Sequence, residues 1–142
     1  MKPCLASLSA LALLAGCSGS QEGNKAAGVS PADAKEYASY TGDAAAGEKI
    51  FRQCMACHSA EKGVNEVGPS LHGVVGRKAG SVPGFAYSPA NKKSGITWSE
   101  AELFVYLKAP RELVPGTYMT FAGLPKPQDR ADVIAYLKTQ AD

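Results

Sequence analysis

Five consecutive residues, Cys54-Met55-Ala56-Cys57-His58, constrain this chain more than any other feature of its sequence. The C-x-x-C-H spacing is typical of covalent haem attachment. Two thiols three positions apart on one helical turn can each add to a vinyl group of a porphyrin, and the adjacent imidazole then lies under the iron. The motif therefore predicts one haem c, attached through Cys54 and Cys57 and ligated by His58.

The same residues fit two other kinds of site less well. A redox-active dithiol of the thioredoxin type belongs to a βαβ setting, and nothing around Cys54 has the pattern of a strand. A structural zinc site takes four ligands, usually as two spaced pairs. This sequence has one pair, and the adjacent positions of Cys57 and His58 make joint ligation of one ion awkward. Haem attachment is the interpretation that uses all three residues.

The N-terminus has the features of an export signal. Lys2 supplies a positive charge, and residues 5–15 are apolar or small throughout, a stretch shorter than the roughly 20 residues that span a bilayer. It ends in Leu14-Ala15-Gly16-Cys17, which resembles the bacterial lipoprotein signal. We therefore expect a lipoprotein signal peptide over residues 1–16 and a protein that is lipid-anchored on the periplasmic side of a bacterial membrane. The alternative is an ordinary secretory signal with an incidental cysteine.

Cysteine usage agrees with export. Of the four cysteines, Cys4 leaves with the signal peptide, Cys17 takes lipid, and Cys54 and Cys57 take haem. No thiol then remains for a disulfide, and no free thiol is exposed in an oxidising compartment.

Residues 17–40 differ in composition from the rest of the chain. After Cys17 they are rich in Gly, Ala, Ser and charged residues, and Val29 is their only large aliphatic residue, so we expect no buried core here. The prediction is a lipid anchor and flexible tether, within which residues 30–33 can begin a short helix to about Tyr40. A single domain then covers residues 41–142.

The charge balance excludes one class of function. The chain has 15 Lys and Arg residues against 13 Asp and Glu residues, and the two signs are interspersed. No basic stripe results, so we expect no nucleic-acid partner.

The domain has the apolar spacing of helices at both of its ends. Asp43 can cap a helix with a single apolar face that leads into the haem cysteines, and residues 128–140 carry an apolar stripe that can pack against it. Gly47 lies in the first of these helices and lowers its helix propensity. We expect this glycine to permit close approach of the last helix.

The middle of the domain is poorer in periodic structure. A capping box at residues 97–100 predicts a helix that Pro110 stops, and residues 88–95 predict a helix of one or two turns. Between residues 59 and 87 no periodic element is evident. A loop of that length is uncommon in a compact domain, but a large apolar haem can replace the missing protein core.

The iron needs a ligand on the face opposite His58, and few candidates exist. Met1 leaves with the signal peptide and Met55 is fixed between the two cysteines, so Met119 is the available methionine. His72 is the competitor, because bis-histidine ligation is known chemistry. It lies only 14 residues after His58, and a turn-rich connection would have to cross the haem edge. We expect His72 to bond between loops and Met119 to ligate.

Three further segments match one known family. They are residues 68–78 (GPSLHGVVGRK), 115–123 (PGTYMTFAG) and 130–138 (RADVIAYLK). With the haem motif, they make the chain resemble a class I c-type cytochrome of the mitochondrial and photosynthetic-bacterial type over about residues 41–139. The resemblance implies an all-α fold of small helices and loops wrapped around one covalently attached haem.

The resemblance also implies roles for matching positions. The Pro69 carbonyl would accept the His58 Nδ1 proton, and Phe121 would shield the haem edge. A haem propionate and the Met119 sulfur would each be held by a set of polar or aromatic residues. Those sets are Arg77, Tyr87 and Trp98 for the propionate, and Asn91, Tyr106 and Thr117 for the sulfur. For the aromatic members, packing in the core is an equally good explanation.

An iron with both axial positions filled has little room for substrate, so we expect an electron carrier rather than an enzyme. The resemblance implies a quinol:cytochrome c oxidoreductase as donor and a terminal oxidase or photosynthetic reaction centre as acceptor. One alternative is a haem enzyme of peroxidase type with a displaceable sixth ligand, but residues 114–124 contain no His, Asp or Glu to act as distal acid or base. Another is a gas-sensing or structural haem module, for which the chain encodes no partner domain.

Overall fold

The computed structural model describes residues 28–142, and the predicted signal peptide and Cys17 lie outside the described residues. Within this part the regular structure is helical, and the only strand-like pairing is an isolated antiparallel bridge between Lys78 and Thr97. The predicted all-α class is confirmed. The helices are α1 (Pro31–Ala38), α2 (Ala44–Phe51), a 3-10 turn (Cys54–Ala56), α3 (Pro89–Lys93), α4 (Glu100–Tyr106), α5 (Pro110–Leu113) and α6 (Pro127–Thr139).

The first and last helices of the domain, α2 and α6, cross in close contact. Asp43 caps α2 by accepting hydrogen bonds from the backbone N–H groups of Ala45 and Ala46, as its position predicts. A Cβ built on Gly47 would lie 2.0 Å from the Asp132 carbonyl oxygen, so only glycine allows this approach. The Phe51 ring packs 5.0 Å from the Tyr136 ring at the other end of the crossing.

The start of α4 differs from the prediction. The capping box expected at residues 97–100 does not form; Ser99 is the N-cap, and its hydroxyl accepts from the Glu102 N–H at 3.1 Å. Thr97 pairs with Lys78, and the Trp98 N–H donates to the Arg77 carbonyl. Because these bonds hold residues 97 and 98 against another loop, the helix begins later. Its last residue is Tyr106, and Pro110 opens the next helix.

The chain between Ala56 and Pro89 contains no helix, as expected. The short α3 follows it with Ser88 as N-cap and Pro89 in the first turn, which confirms the prediction for residues 88–95. Gly95 has a φ of 70°, a conformation that ends a helix at little cost only when the residue has no Cβ.

Part of the predicted tether packs on the domain. Ser30 and Asp33 form a capping box at the start of α1, and the rings of Tyr37 and Tyr40 lie 5.4 and 5.8 Å from the buried ring of Phe104. Residues 29–40 thus include the short helix that the sequence allowed and also pack on the domain, which composition did not indicate. Two tyrosines, rather than aliphatic residues, supply the apolar area here.

The core is built from α2, α4, α6 and the loops between them. Its most buried members include Phe51, Ile96, Phe104, Val133 and Ile134. Residues 28–142 contain no helix that is long and apolar enough to cross a membrane.

We predict that Gly47→Ala destabilises the protein, because the new Cβ would overlap the α6 backbone. Alanine raises helix propensity by about 1 kcal/mol, but overpacking of this kind costs about 1–3 kcal/mol or more. Guanidinium unfolding of the haem-loaded protein should show a net loss of free energy of unfolding. The exposed neighbour Glu48 offers the control Glu48→Ala, which should change stability by less than about 0.5 kcal/mol. A more stable Gly47→Ala protein would show that α2 and α6 do not touch at this position.

Candidate haem site

The two motif cysteines lie on a single tight turn. The N–H groups of Cys57 and His58 both donate to the Cys54 carbonyl, at 3.0 and 2.9 Å. Cys54 packs partly against the hydrophobic core, whereas Cys57 is exposed. The turn therefore presents two thiols and an imidazole along one short stretch of backbone at the domain surface, as the motif predicts.

The His58 ring is oriented by the loop that follows it. Its Nδ1 lies 2.8 Å from the Pro69 carbonyl oxygen. A carbonyl can only accept, so Nδ1 carries the proton in this bond. The other ring nitrogen, Nε2, is then the one with a free lone pair. This is the arrangement that the resemblance implied for Pro69.

Gly68 contributes to the same site in a way that sequence reasoning missed. A Cβ built on Gly68 would lie 2.3 Å from His58 Cε1 and 2.6 Å from Nδ1, so the imidazole lies against the glycine backbone and leaves no room for a side chain there. The Gly68 N–H also donates to the Cys57 carbonyl at 2.7 Å. A glycine immediately before the proline whose carbonyl holds the ring was the signal available in the sequence.

Arg77 ties the histidine loop together. Its Nη1 donates to the His72 carbonyl and its Nη2 to the Ser70 carbonyl, both at 2.7 Å. Ser70 is buried, and its hydroxyl donates to the Glu61 carbonyl; sequence reasoning assigned it no part. Burial lowers the pKa of Arg77, and the nearby Tyr87 phenol opposes that shift. Arg77 and Tyr87, two of the residues predicted to hold a propionate, therefore interact electrostatically.

The Met119 sulfur is held by a tyrosine from α4. The Tyr106 hydroxyl donates to Met119 Sδ at 3.9 Å, and the Met119 N–H donates to Thr117 Oγ1 at 3.3 Å. Burial raises the pKa of Tyr106, although its hydrogen bond with Thr117 opposes the shift. The phenol thus keeps its proton and can donate it to the sulfur. The Trp98 ring packs 4.6 Å from the Tyr106 ring.

Asn91 has a buried polar atom that remains unpaired in this part of the chain. Its backbone N–H donates to the Ser88 hydroxyl, but its side-chain Oδ1 is buried with no hydrogen-bond partner among residues 28–142. Such groups are rare in folded proteins and point to a ligand or an ordered water.

Three other predicted site residues, Cys54, Met119 and Phe121, are half-buried against the hydrophobic core.

His72 points toward the C-terminus. Its Nε2 lies 3.5 Å from an Asp142 carboxylate oxygen, and its carbonyl accepts from Arg77. The side chain of Lys62 also pairs with Asp142. His72 therefore bonds between chain segments, which is the role expected for it. Tyr106 instead donates its hydrogen bond to the sulfur of Met119, the other candidate ligand.

The Cys54 thiol does not have the properties of a reactive thiol in a redox dithiol. Burial raises the pKa of the Cys54 thiol to about 11, whereas reactive dithiols depend on a lowered pKa. In residues 28–142, no three of the His, Cys, Asp and Glu side chains form a group that could hold a metal ion. Neither alternative to haem attachment gains support.

The residues present fit a covalently attached haem. A tight turn carries two free thiols. Beside them, His58 has Nε2 available, because Nδ1 is bonded to Pro69. The Met119 thioether is held in place by a hydrogen bond from Tyr106. The unpaired Asn91 oxygen marks a polar position that residues 28–142 leave unsatisfied. Imidazole and thioether are the ligand pair of low-spin haem in electron carriers.

Comparison with known proteins gives the same assignment. The family model described as cytochrome c matches residues 44–141. Cytochrome c2 of Rhodoblastus acidophilus is 57% identical over 97 residues, which cover 68% of this chain and 91% of that protein. Cytochrome c of Euglena viridis is 51% identical over 102 residues, covering 71% of this chain and 100% of that protein.

A solved structure extends the similarity to the fold. Cytochrome cH from Methylobacterium extorquens is 56% identical, and the match covers 69% of this chain and 99% of that chain with a TM-score of 0.66. These matches support one covalent c-type haem and an electron carrier, and they give no support to the peroxidase alternative. The chain thus belongs to the cytochrome c family and is a monohaem electron-transfer protein.

Proposed function

We propose that this protein carries single electrons between membrane-bound respiratory or photosynthetic complexes through a haem ligated by His58 and Met119. The observation that carries the proposal is the pair of oriented side chains. Pro69 holds the proton at His58 Nδ1, and Tyr106 directs the Met119 thioether. Each candidate ligand is thus held in place by a neighbour, which limits rearrangement of the site during electron transfer.

The haem, when bound, supplies the iron that accepts and releases one electron. The chain's own residues set how readily it does so. The Pro69 carbonyl makes the His58 ring more basic by accepting its Nδ1 proton. The Met119 thioether favours the reduced state and raises the potential. The Tyr106 hydroxyl draws electron density from that sulfur, which works in the same direction.

The remaining predicted residues complete this proposal. Arg77, Tyr87 and Trp98 would hold a propionate. Two N–H groups of Arg77 donate to loop carbonyls and fix its guanidinium. Its half-buried positive charge and its other N–H groups would then serve the propionate. Asn91 has an unpaired oxygen that would bond to a group or water at the haem, and Phe121 would cover the haem edge.

We also propose that the protein is lipid-anchored through Cys17 on the periplasmic side of a bacterial membrane. The Leu14-Ala15-Gly16-Cys17 segment supports this location. A quinol:cytochrome c oxidoreductase is then the donor, and a terminal oxidase or photosynthetic reaction centre is the acceptor. Anchoring keeps the carrier beside both complexes, so short-lived docking is enough for turnover.

Met119→Ala should open the sixth coordination position, because alanine has no sulfur to donate. We expect the midpoint potential to fall by more than about 100 mV and carbon monoxide to bind the reduced protein. Redox titration and absorption spectra would measure both effects. Met55→Ala is the matched control, since Met55 is exposed and lies on the His58 side, and it should retain the potential. An unchanged potential in Met119→Ala would exclude Met119 as the ligand.

Gly68→Ala should displace the His58 ring, because the added Cβ would overlap three ring atoms. Haem should still attach, since both cysteines remain. We expect a loss of about 1–3 kcal/mol in the free energy of unfolding and an altered ferric spectrum. Val67→Ala, at the exposed neighbouring residue, should change neither. A wild-type spectrum and stability in Gly68→Ala would show that the ring does not lie on this backbone.

Cys17→Ser should leave haem attachment intact and release the protein from membranes, because lipidation and haem attachment use different cysteines. Fractionation followed by haem staining would show both results. Cys4→Ser is the control, since Cys4 leaves with the signal peptide, and it should not alter membrane retention. Retention of Cys17→Ser through a salt wash, at normal haem content, would contradict the lipid anchor.

A further inference from the structure

Helix α1 lies outside the part of the chain that defines the family. The family match begins at residue 44, whereas α1 covers Pro31–Ala38. The segment nevertheless contacts the domain along its length. At its start, the Val29 N–H donates to Glu102 Oε1 at 3.0 Å. At its end, Tyr40 packs on Phe104.

The centre of this contact is a chain of hydrogen bonds that joins three helices. The Tyr37 hydroxyl of α1 donates to a carboxylate oxygen of Glu100 on α4. The other oxygen of Glu100 lies 2.8 Å from Lys138 Nζ on α6. Burial tends to raise the pKa of Glu100, but its bonds to Lys138 and Tyr37 outweigh that effect and lower it. Glu100 therefore stays ionised and holds both partners.

A second contact lies one helical turn along α4. The guanidinium of Arg130 sits over the Phe104 ring at 4.2 Å, on the ring that also contacts Tyr37 and Tyr40. Arg130 is 2% exposed, and its Nη2 lies 3.6 Å from Glu36 Oε1 of α1. Aromatic packing and a partly buried ion pair thus act together on one side of α1.

The docked segment contacts α4 on two sides. Glu100 and Phe104 are four residues apart and share a face of the helix. Glu102, which accepts from the Val29 N–H, lies two residues beyond Glu100, which is about 200° around a helix of 3.6 residues per turn. Residues 29–40 therefore hold the beginning of α4 from both sides.

We propose that residues 29–40 are an N-terminal clamp that fixes the anchored end of the chain to α4. The proposal rests on the lipid anchor at Cys17 for its role at the membrane. With the clamp closed, only residues 18–28 separate the lipid from the docked segment, which limits their distance to about 40 Å. A tether running to residue 40 would reach roughly twice as far. The clamp thus orients the domain as well as retaining it.

Hydrogen exchange of the full-length, haem-loaded protein in detergent tests the clamp directly. Backbone amides of residues 31–38 should be protected in the wild-type protein and should exchange about tenfold faster or more in Tyr37→Ala. Protection of α6 and the haem spectrum should not change. Tyr118→Ala is the matched control, because Tyr118 is 71% exposed, and it should leave α1 protected.

Three results would overturn the clamp. One is wild-type exchange in α1 as fast as in Tyr37→Ala, which would mean that the helix is not docked. Another is an equal loss of protection in α6, which would make α1 a part of the core. The third is the same loss in Tyr118→Ala.

Orientation at the membrane is measured separately, by linear dichroism of the haem band on supported bilayers. The wild-type protein should show dichroism, and Tyr37→Ala should lose at least about half of it. Equal dichroism in the two proteins would overturn the orienting role. Failure of the wild-type protein to stay on the bilayer would instead contradict the Cys17 anchor, and the exchange experiment would still decide whether the clamp exists.

Discussion

The crossing of α2 and α6 at Gly47 is the contact on which the rest of the structure depends. The Asp132 carbonyl of α6 occupies the space where any residue other than glycine at position 47 of α2 would place its Cβ. This contact joins the two ends of the domain, and its reinforcement by the Phe51 and Tyr136 rings sets the direction in which α2 runs into the haem cysteines. Much of the chain between the two helices is loop and short helix, so their crossing supplies the frame on which those loops are arranged.

The loops are ordered by polar groups that satisfy one another. Ser70 and Arg77 donate hydrogen bonds to loop carbonyls that have no partner in a helix or sheet. Buried carbonyls without a hydrogen-bond partner would destabilise the fold. The same bonds shape the loop that presents Pro69 to His58. Stability and ligand orientation therefore come from one network. Outside this network, Asn91 Oδ1 is buried without a hydrogen-bond partner among residues 28–142.

The N-terminal clamp shows how a short segment of low hydrophobicity can still dock. Two tyrosines of residues 29–40 pack on the buried ring of Phe104. The helix of this segment, α1, also carries the carboxylates of Asp33 and Glu36. Tyrosine packs like an apolar residue and also donates a hydrogen bond, so one side chain joins α1 to both the core and Glu100. We propose that the same contacts, with an anchor at Cys17, also determine the orientation of the domain.

The sequence by itself determined the covalent haem site, the family and most of the helices, because each depends on local spacing. The C-x-x-C-H motif needs one turn, and the caps of α1, α2 and α3 need only neighbouring residues. Only the tertiary structure decided the start of α4, where Thr97 and Trp98 bond to a distant loop. It also decided the close fit of Gly68 beneath His58 and the docking of α1 on Phe104. These features depend on which distant surfaces meet, and residue spacing along the chain carries no information about that.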